Sequence, residues 1–222
     1  MLEAKGLVTL TIGTVRPHIE KVKPPRGLIC DFPLGRPLGK PGDDEFQHQV
    51  LARLFDLLGS AQPVLQDFPV SINTADEPAL MCSLPPRMNP DEHPAVDESR
   101  GIKGAYDRAL REFGNRIGAT REITPEQVPD AIAAFVRIQE GTEWQQADIP
   151  GNPMRVAQDI RGYYQTAALA LAEHSPGAWA GENWFYEQTE TGRLMLDVRR
   201  VLKAAGAPQP LWFYLSPGDR PA

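Results

Sequence analysis

The stretch Arg26–Gly42, RGLICDFPLGRPLGKPG, decides how this chain is read. A short apolar run, Gly27–Cys30, leads to an acid, Asp31. A loop follows, punctuated by Gly35, Gly39 and Gly42 and by Pro33, Pro37 and Pro41. Phe46, Val50, Leu51, Leu54, Phe55 and Leu58 then recur at helical spacing, with Asp43 or Asp44 placed to cap the helix and Gly59 to end it. Strand, glycine loop and helix form the unit with which α/β proteins build sites at the carboxyl end of a strand.

Upstream, Leu7–Ile12 (LVTLTI) is rich in β-branched residues and reads as a strand parallel and adjacent to Gly27–Cys30. Leu2–Gly6 reads as the tail of a helix with Gly6 at its C′ position. Pro17–Arg26 reads as a polar connection. A helix end, a glycine and a strand form the second half of a βαβ unit, so a preceding strand is expected from another polypeptide that completes the sheet. Otherwise the apolar run Pro210–Leu215, read as a terminal strand, docks beside Leu7–Ile12.

Downstream, residues 60–101 hold seven prolines and no sustained period, so a lid, a wrapping segment or disorder is expected. Short strands fit Val64–Val70 and Ala79–Leu84. Helices are expected over Tyr106–Phe113, from Thr124 (a capping box with Gln127), from Asn152 to Ala172, and over Trp184–Ala205. Pro129 separates the turn at Thr124 from the helix after it. The expected fold is therefore α/β: the C-terminal part of a Rossmann-like parallel sheet unit over residues 1–60, a proline-rich segment over 61–103, and a mostly helical extension with a terminal strand over 104–222.

Composition narrows the function. The 222 residues carry a net charge of −6 without a basic stripe, which argues against nucleic acid as a partner. The two cysteines, Cys30 and Cys82, are distant and form no CxxC, and no histidine has metal-ligand spacing. No metal or cofactor is expected. Neither a signal peptide nor an 18-residue apolar run is present, so a cytoplasmic protein without a membrane span is expected.

The candidate ligand residues cluster around the opening stretch: Asp31, Gly35, Gly39 and His48. Glycines in a strand-to-helix loop let backbone N–H groups approach an anion. The loop matches neither a P-loop, since Pro41 stands where a magnesium-binding hydroxyl belongs, nor GxGxxG. A rigid packed connection is the competing reading. The carboxylate of Asp31 beside Cys30 works against a thiolate there, although Arg26, Arg36 and Lys40 are near in sequence, and Cys82 has no basic residue until Arg87, so both read as core thiols rather than nucleophiles. His18 and His93 sit in polar loops. The aromatics Trp184, Phe185, Tyr186, Trp212, Phe213 and Tyr214 read as core where the last elements meet.

Two stretches carry a family resemblance. HIEKVKPPRGLICDFPLGRPLGKPGDDEFQHQVLARLFDLL (residues 18–58) resembles the closing part of the selenoprotein B-related proteins of glycine/sarcosine/betaine and D-proline reductases. The segment from Gln158 to Pro217 resembles an extension in bacterial relatives, and GAYDRALREFG with ITPEQVPDAIAAF fits them more loosely. The resemblance implies reductive carbon–nitrogen cleavage by a selenocysteine or cysteine nucleophile that belongs upstream of Leu7–Ile12. Neither cysteine here matches that motif, so no catalytic residue carries over. The expected function is a reductase-family polypeptide, a subunit or shortened form needing another chain for the nucleophile, with a small-molecule ligand. The alternative is a non-catalytic partner or assembly module of the same fold.

Overall fold

The computed structural model describes residues 2–72, 82–114, 121–172 and 179–216. The chain is α/β, mainly helical with a small parallel sheet, and divides into two compact units, Met1–Glu77 and Pro78–Ala222, each with its own core. The proline-rich stretch is divided between them.

The first unit runs β1 (Thr11–Gly13), α1 (Arg16–Val22), β2 (Arg26–Ile29), α2 (Asp44–Asp56) and β3 (Val64–Asp67). The strands lie in the order β1-β2-β3, all parallel, with Thr11 opposite Gly27 and Leu28 opposite Gln66. The adjacent parallel pair expected from the sequence is present. Only the end of the Leu7–Ile12 run joins the ladder, and Leu7 and Val8 are exposed. The supposed helix tail before it is a single 3₁₀ turn, Glu3–Lys5, closed by Gly6 at φ +80°.

One face of the sheet, through Leu28, Cys30 and Phe68, packs on Val50, Leu54 and Leu57 from α2 and the residue beyond it. The other face is met by α1. A Cβ on Gly13 would lie 2.5 Å from Ile19 Cδ1, and one on Gly27 would lie 2.7 Å from Leu65 Cδ1 and 3.7 Å from Ile19 Cγ2. These two glycines are what let so short a helix sit flat on the strands. The connection read as polar over Pro17–Arg26 therefore holds a helix. Its one inward apolar residue, Ile19, is too little to give a periodic signal. Both crossovers step the same way across the sheet with their helices on opposite faces, so they have opposite hands. One thus departs from the right-handed rule that holds for roughly 98% of such connections.

The second unit is helical: α3 (Pro94–Gly101), α4 (Lys103–Phe113), α5 (Val128–Gln139), α6 (Pro153–Leu171), α7 (Ala180–Gln188), α8 (Glu190–Ala204) and α9 (Gln209–Phe213). α4 lies along α6, and α5 along α8, around Ile132, Phe135, Ile160, Tyr164, Trp184 and Phe185. The expected N-termini are found. Asn152 Oδ1 accepts from Met154 and Arg155, and Thr124 with Gln127 forms a capping box on a 3₁₀ turn that precedes α5. His93, read as a loop residue, accepts from Ala95 N at the start of α3.

Two expectations are corrected. The helix placed over Trp184–Ala205 is two helices broken at Thr189, whose hydroxyl donates to Phe185 O and accepts from Gly192 N. The run Pro210–Leu215 is not a strand but mostly α9, with Leu215 O held by Tyr186 OH. Docking of that run as a strand beside Leu7–Ile12 is thereby excluded. The first half of the strand placed over Ala79–Leu84 lies outside the described residues, and the described half, Cys82–Leu84, is not a strand.

Three carboxylates in this unit pin irregular backbone. Asp97, 3% exposed, accepts from Met88 N and Asn89 N. Asp159, 4% exposed, accepts from Arg121 N, Glu122 N and Ile123 N. Glu98 of α3 accepts from Glu190 N and Thr191 N at the start of α8 and from Tyr164 OH. Helix starts leave unpaired N–H groups, and here a side chain 92 residues away supplies the acceptor. Burial raises the pKa of Glu98, while those same N–H groups pull it down. No described helix is long and apolar enough to cross a membrane.

Candidate functional site

Parallel strands direct their carboxyl ends to one edge, and the connecting loops there form the natural place for a ligand. In the first unit this edge carries a cleft of about 450 Å³. Thr14 and Arg16 enter it after β1, Asp31 after β2, and Asp67 and Ser71 at and after β3, with Ile29 and Phe68 in its floor. Backbone bonds from Cys30 N to Gly13 O (2.9 Å) and from Phe68 N to Ile29 O (2.7 Å) carry the ladder to this rim.

The polar groups of the cleft meet in pairs. Arg16 Nη2 donates to Asp67 Oδ1, and Arg16 Nη1 donates to Glu20 Oε1 at 3.4 Å. The hydrogen bond to Glu20 and the charge of Asp67 raise the already high pKa of Arg16. Ser71 Oγ donates to Asp31 Oδ2, and Ile72 N to Asp31 O at 2.9 Å, so the chain after β3 is tied to the chain after β2. Arg16 and both aspartates are exposed, which leaves them open to exchange partners with a ligand. A cation, two carboxylates and two hydroxyls can bind and orient a small charged molecule. Among the lining residues there is no thiol and no imidazole.

Of the residues singled out from sequence, Asp31 lines this cleft. Gly35, Gly39 and His48 do not. Gly35 (φ +84°) and Gly39 (φ +92°) shape successive tight turns, in which Arg36 N bonds Pro33 O and Gly39 N bonds Arg36 O. Those two amides are used inside the loop rather than turned to an anion. A Cβ on Gly39 would lie 2.6 Å from the Phe46 ring, which belongs to a cluster with Phe32 and Phe68 at centroid distances of 5.6–5.7 Å. The loop is thus folded down on a phenylalanine core. His48 is exposed on α2.

Cys30 and Cys82 are buried, and burial pushes both thiols up to about 11. Thiolate at neutral pH is correspondingly scarce. No cluster of His, Cys, Asp and Glu suited to a metal occurs among the described residues.

Sequence reasoning passed over Thr14, Arg16, Asp67 and Ser71. The available signal was position: Thr14, Arg16 and Ser71 sit just beyond the ends of runs already read as strands, whereas Asp67 lay inside the Val64–Val70 run and comes to a strand end only because β3 stops at Asp67. No family model matches the chain, and neither a curated protein nor a solved structure matches it significantly.

Proposed function

We propose that this chain is a reductase-family polypeptide that resembles selenoprotein B-related proteins. In this reading it binds a small charged substrate at the strand-end cleft, while another chain supplies the attacking thiol or selenol. The observation that carries the reading is the division of labour in the first unit. Arg16, Asp31 and Asp67 converge on a ligand-sized cleft, while Cys30 is buried beneath the sheet with its thiol protonated. The parallel order β1-β2-β3 supports a Rossmann-like sheet continued by strands of that partner beside β1, where Leu7 and Val8 stand exposed. The opposite hands of the two crossovers set the unit apart from a regular doubly wound one. A cytoplasmic setting keeps the required thiols reduced.

The pairing of Arg16 with Asp67 and of Asp31 with Ser71 favours a second reading, in which the cleft is internally satisfied and the chain is an assembly module. One experiment separates them. Dithiol-dependent cleavage of glycine, sarcosine, betaine and D-proline is assayed with the purified chain, with a co-expressed cysteine-bearing chain, and with both. Activity only in the mixture, lost with Asp31→Asn or Arg16→Gln while the complex still forms, supports a substrate-binding subunit. Activity indifferent to both substitutions supports the assembly module. Cleavage by this chain alone, or none in any mixture, refutes the proposal.

A further inference from the structure

The second unit contains a pocket that none of the preceding argument uses. It lies between α4 and α6, under the backbone that leads into α5, and has a volume of about 120 Å³. Its aromatic wall is the stacked pair Tyr106 and Tyr163, with centroids 4.6 Å apart and planes 28° from parallel. Ile123 and Val128, both buried, close the apolar side. Thr166, only 5% exposed, is in the lining. Its hydroxyl can donate to or accept from a molecule held in the pocket.

The charges around the pocket select the ligand. Lys103 is neutralised by Asp107 at 2.7 Å and Glu126 at 3.7 Å. Asp159 is in the wall, its oxygens taken up by three backbone N–H groups, and it opposes an anion. Arg121, also in the lining, opposes a cation. A neutral molecule meets neither penalty. An apolar cavity of about 150 Å³ takes up benzene, so this one suits a single ring. From the pocket's size, its tyrosine wall, the Thr166 hydroxyl in its lining and this charge balance, we infer that the second unit binds a small neutral ring compound bearing one hydrogen-bonding group, of the phenol class. The ring lies on Tyr106 and Tyr163, and its polar atom bonds Thr166 Oγ1.

The test is fluorine NMR on the whole chain with four probes that differ in one substituent: 4-fluorophenol, fluorobenzene, 4-fluorobenzoate and 4-fluorobenzylamine. Saturable binding of 4-fluorophenol is expected to exceed that of the other three. In Thr166→Val, loss of one neutral hydrogen bond is expected to weaken 4-fluorophenol about fivefold, towards fluorobenzene. Should that variant fail to fold, Tyr106→Leu, at a half-buried position, is expected to weaken all ring probes by removing the stacking wall. The inference is overturned by absence of saturable binding, by tighter binding of a charged probe, by equal affinity for fluorobenzene, or by a folded variant that binds 4-fluorophenol unchanged.

Discussion

Replacing Asp159 by alanine removes an α6 side chain that holds the backbone of residues 121–123. Three charge-assisted hydrogen bonds disappear, at 3.2, 2.7 and 3.1 Å from Arg121 N, Glu122 N and Ile123 N. Ile123 is 8% exposed, so its stranded N–H carries the full cost of about 1–3 kcal/mol for an unmade buried bond. Arg121 is exposed and Glu122 half-buried, so their N–H groups can turn to water and add about 1 kcal/mol each. Release of a buried carboxylate offsets part of this, leaving a net loss of about 3 kcal/mol. For a unit of this size that lowers Tm by about 6–12 °C. Asp159→Asn keeps one acceptor but turns an amide N–H towards a backbone N–H, and should fall between wild type and alanine. All four tryptophans, Trp144, Trp179, Trp184 and Trp212, lie in the second unit, so fluorescence during urea unfolding reports on that unit alone. Alanine and asparagine variants both within about 0.5 kcal/mol of wild type, or asparagine less stable than alanine, would refute the reasoning.

Three further outcomes are expected. With thiols at about 11, Cys30 and Cys82 should label slowly with iodoacetamide at neutral pH and rapidly once urea opens the chain. Fast, selective labelling of native Cys30 would count against the proposed division of labour. Because burial raises the folded pKa of Glu98 above its ordinary 4.5, its carboxyl favours the protonated folded state. Relative to Glu98→Gln, the wild type should therefore lose stability as pH rises from about 4.5 through the raised value, and a pH-independent difference would contradict this. In Gly192→Ala the new Cβ would lie 2.6 Å from Phe185 C and 2.8 Å from Tyr186 Cα, both backbone atoms. Forcing α7 from α8 should cost about 3 kcal/mol, and a Tm equal to wild type would show that the junction gives way.

What the sequence determined by itself was local. The strand–loop–helix unit, the parallel pair, the α2 face of Phe46, Val50 and Leu54 and the caps at Thr124 and Asn152 were legible because each signal lies within a few turns of chain, whereas Phe55 and Leu58 of the same spacing are exposed. Cys30 and Cys82 were legible as core thiols because Cys30 ends an apolar run beside the carboxylate of Asp31 and Cys82 has no basic residue until Arg87, settings that keep a thiol protonated. The tertiary structure decided the rest. α1 exists because Gly13 and Gly27 open the sheet to Ile19, a pairing no period reveals. The helix read over Trp184–Ala205 breaks at Thr189. There Glu98 caps the second half from 92 residues away, and Gly192 lets its backbone rest on Phe185. Pro210–Leu215 is rich in strand-forming aromatics yet becomes helical, because Pro210 suits a helix start and Tyr186 takes the carbonyl of Leu215. The cleft follows the same rule. Asp31 could be picked from its place at a strand end. Its partner Ser71 lies 40 residues on, and Arg16 meets Asp67 across 51. Polar groups that far apart in the chain are brought together only by the register of three parallel strands.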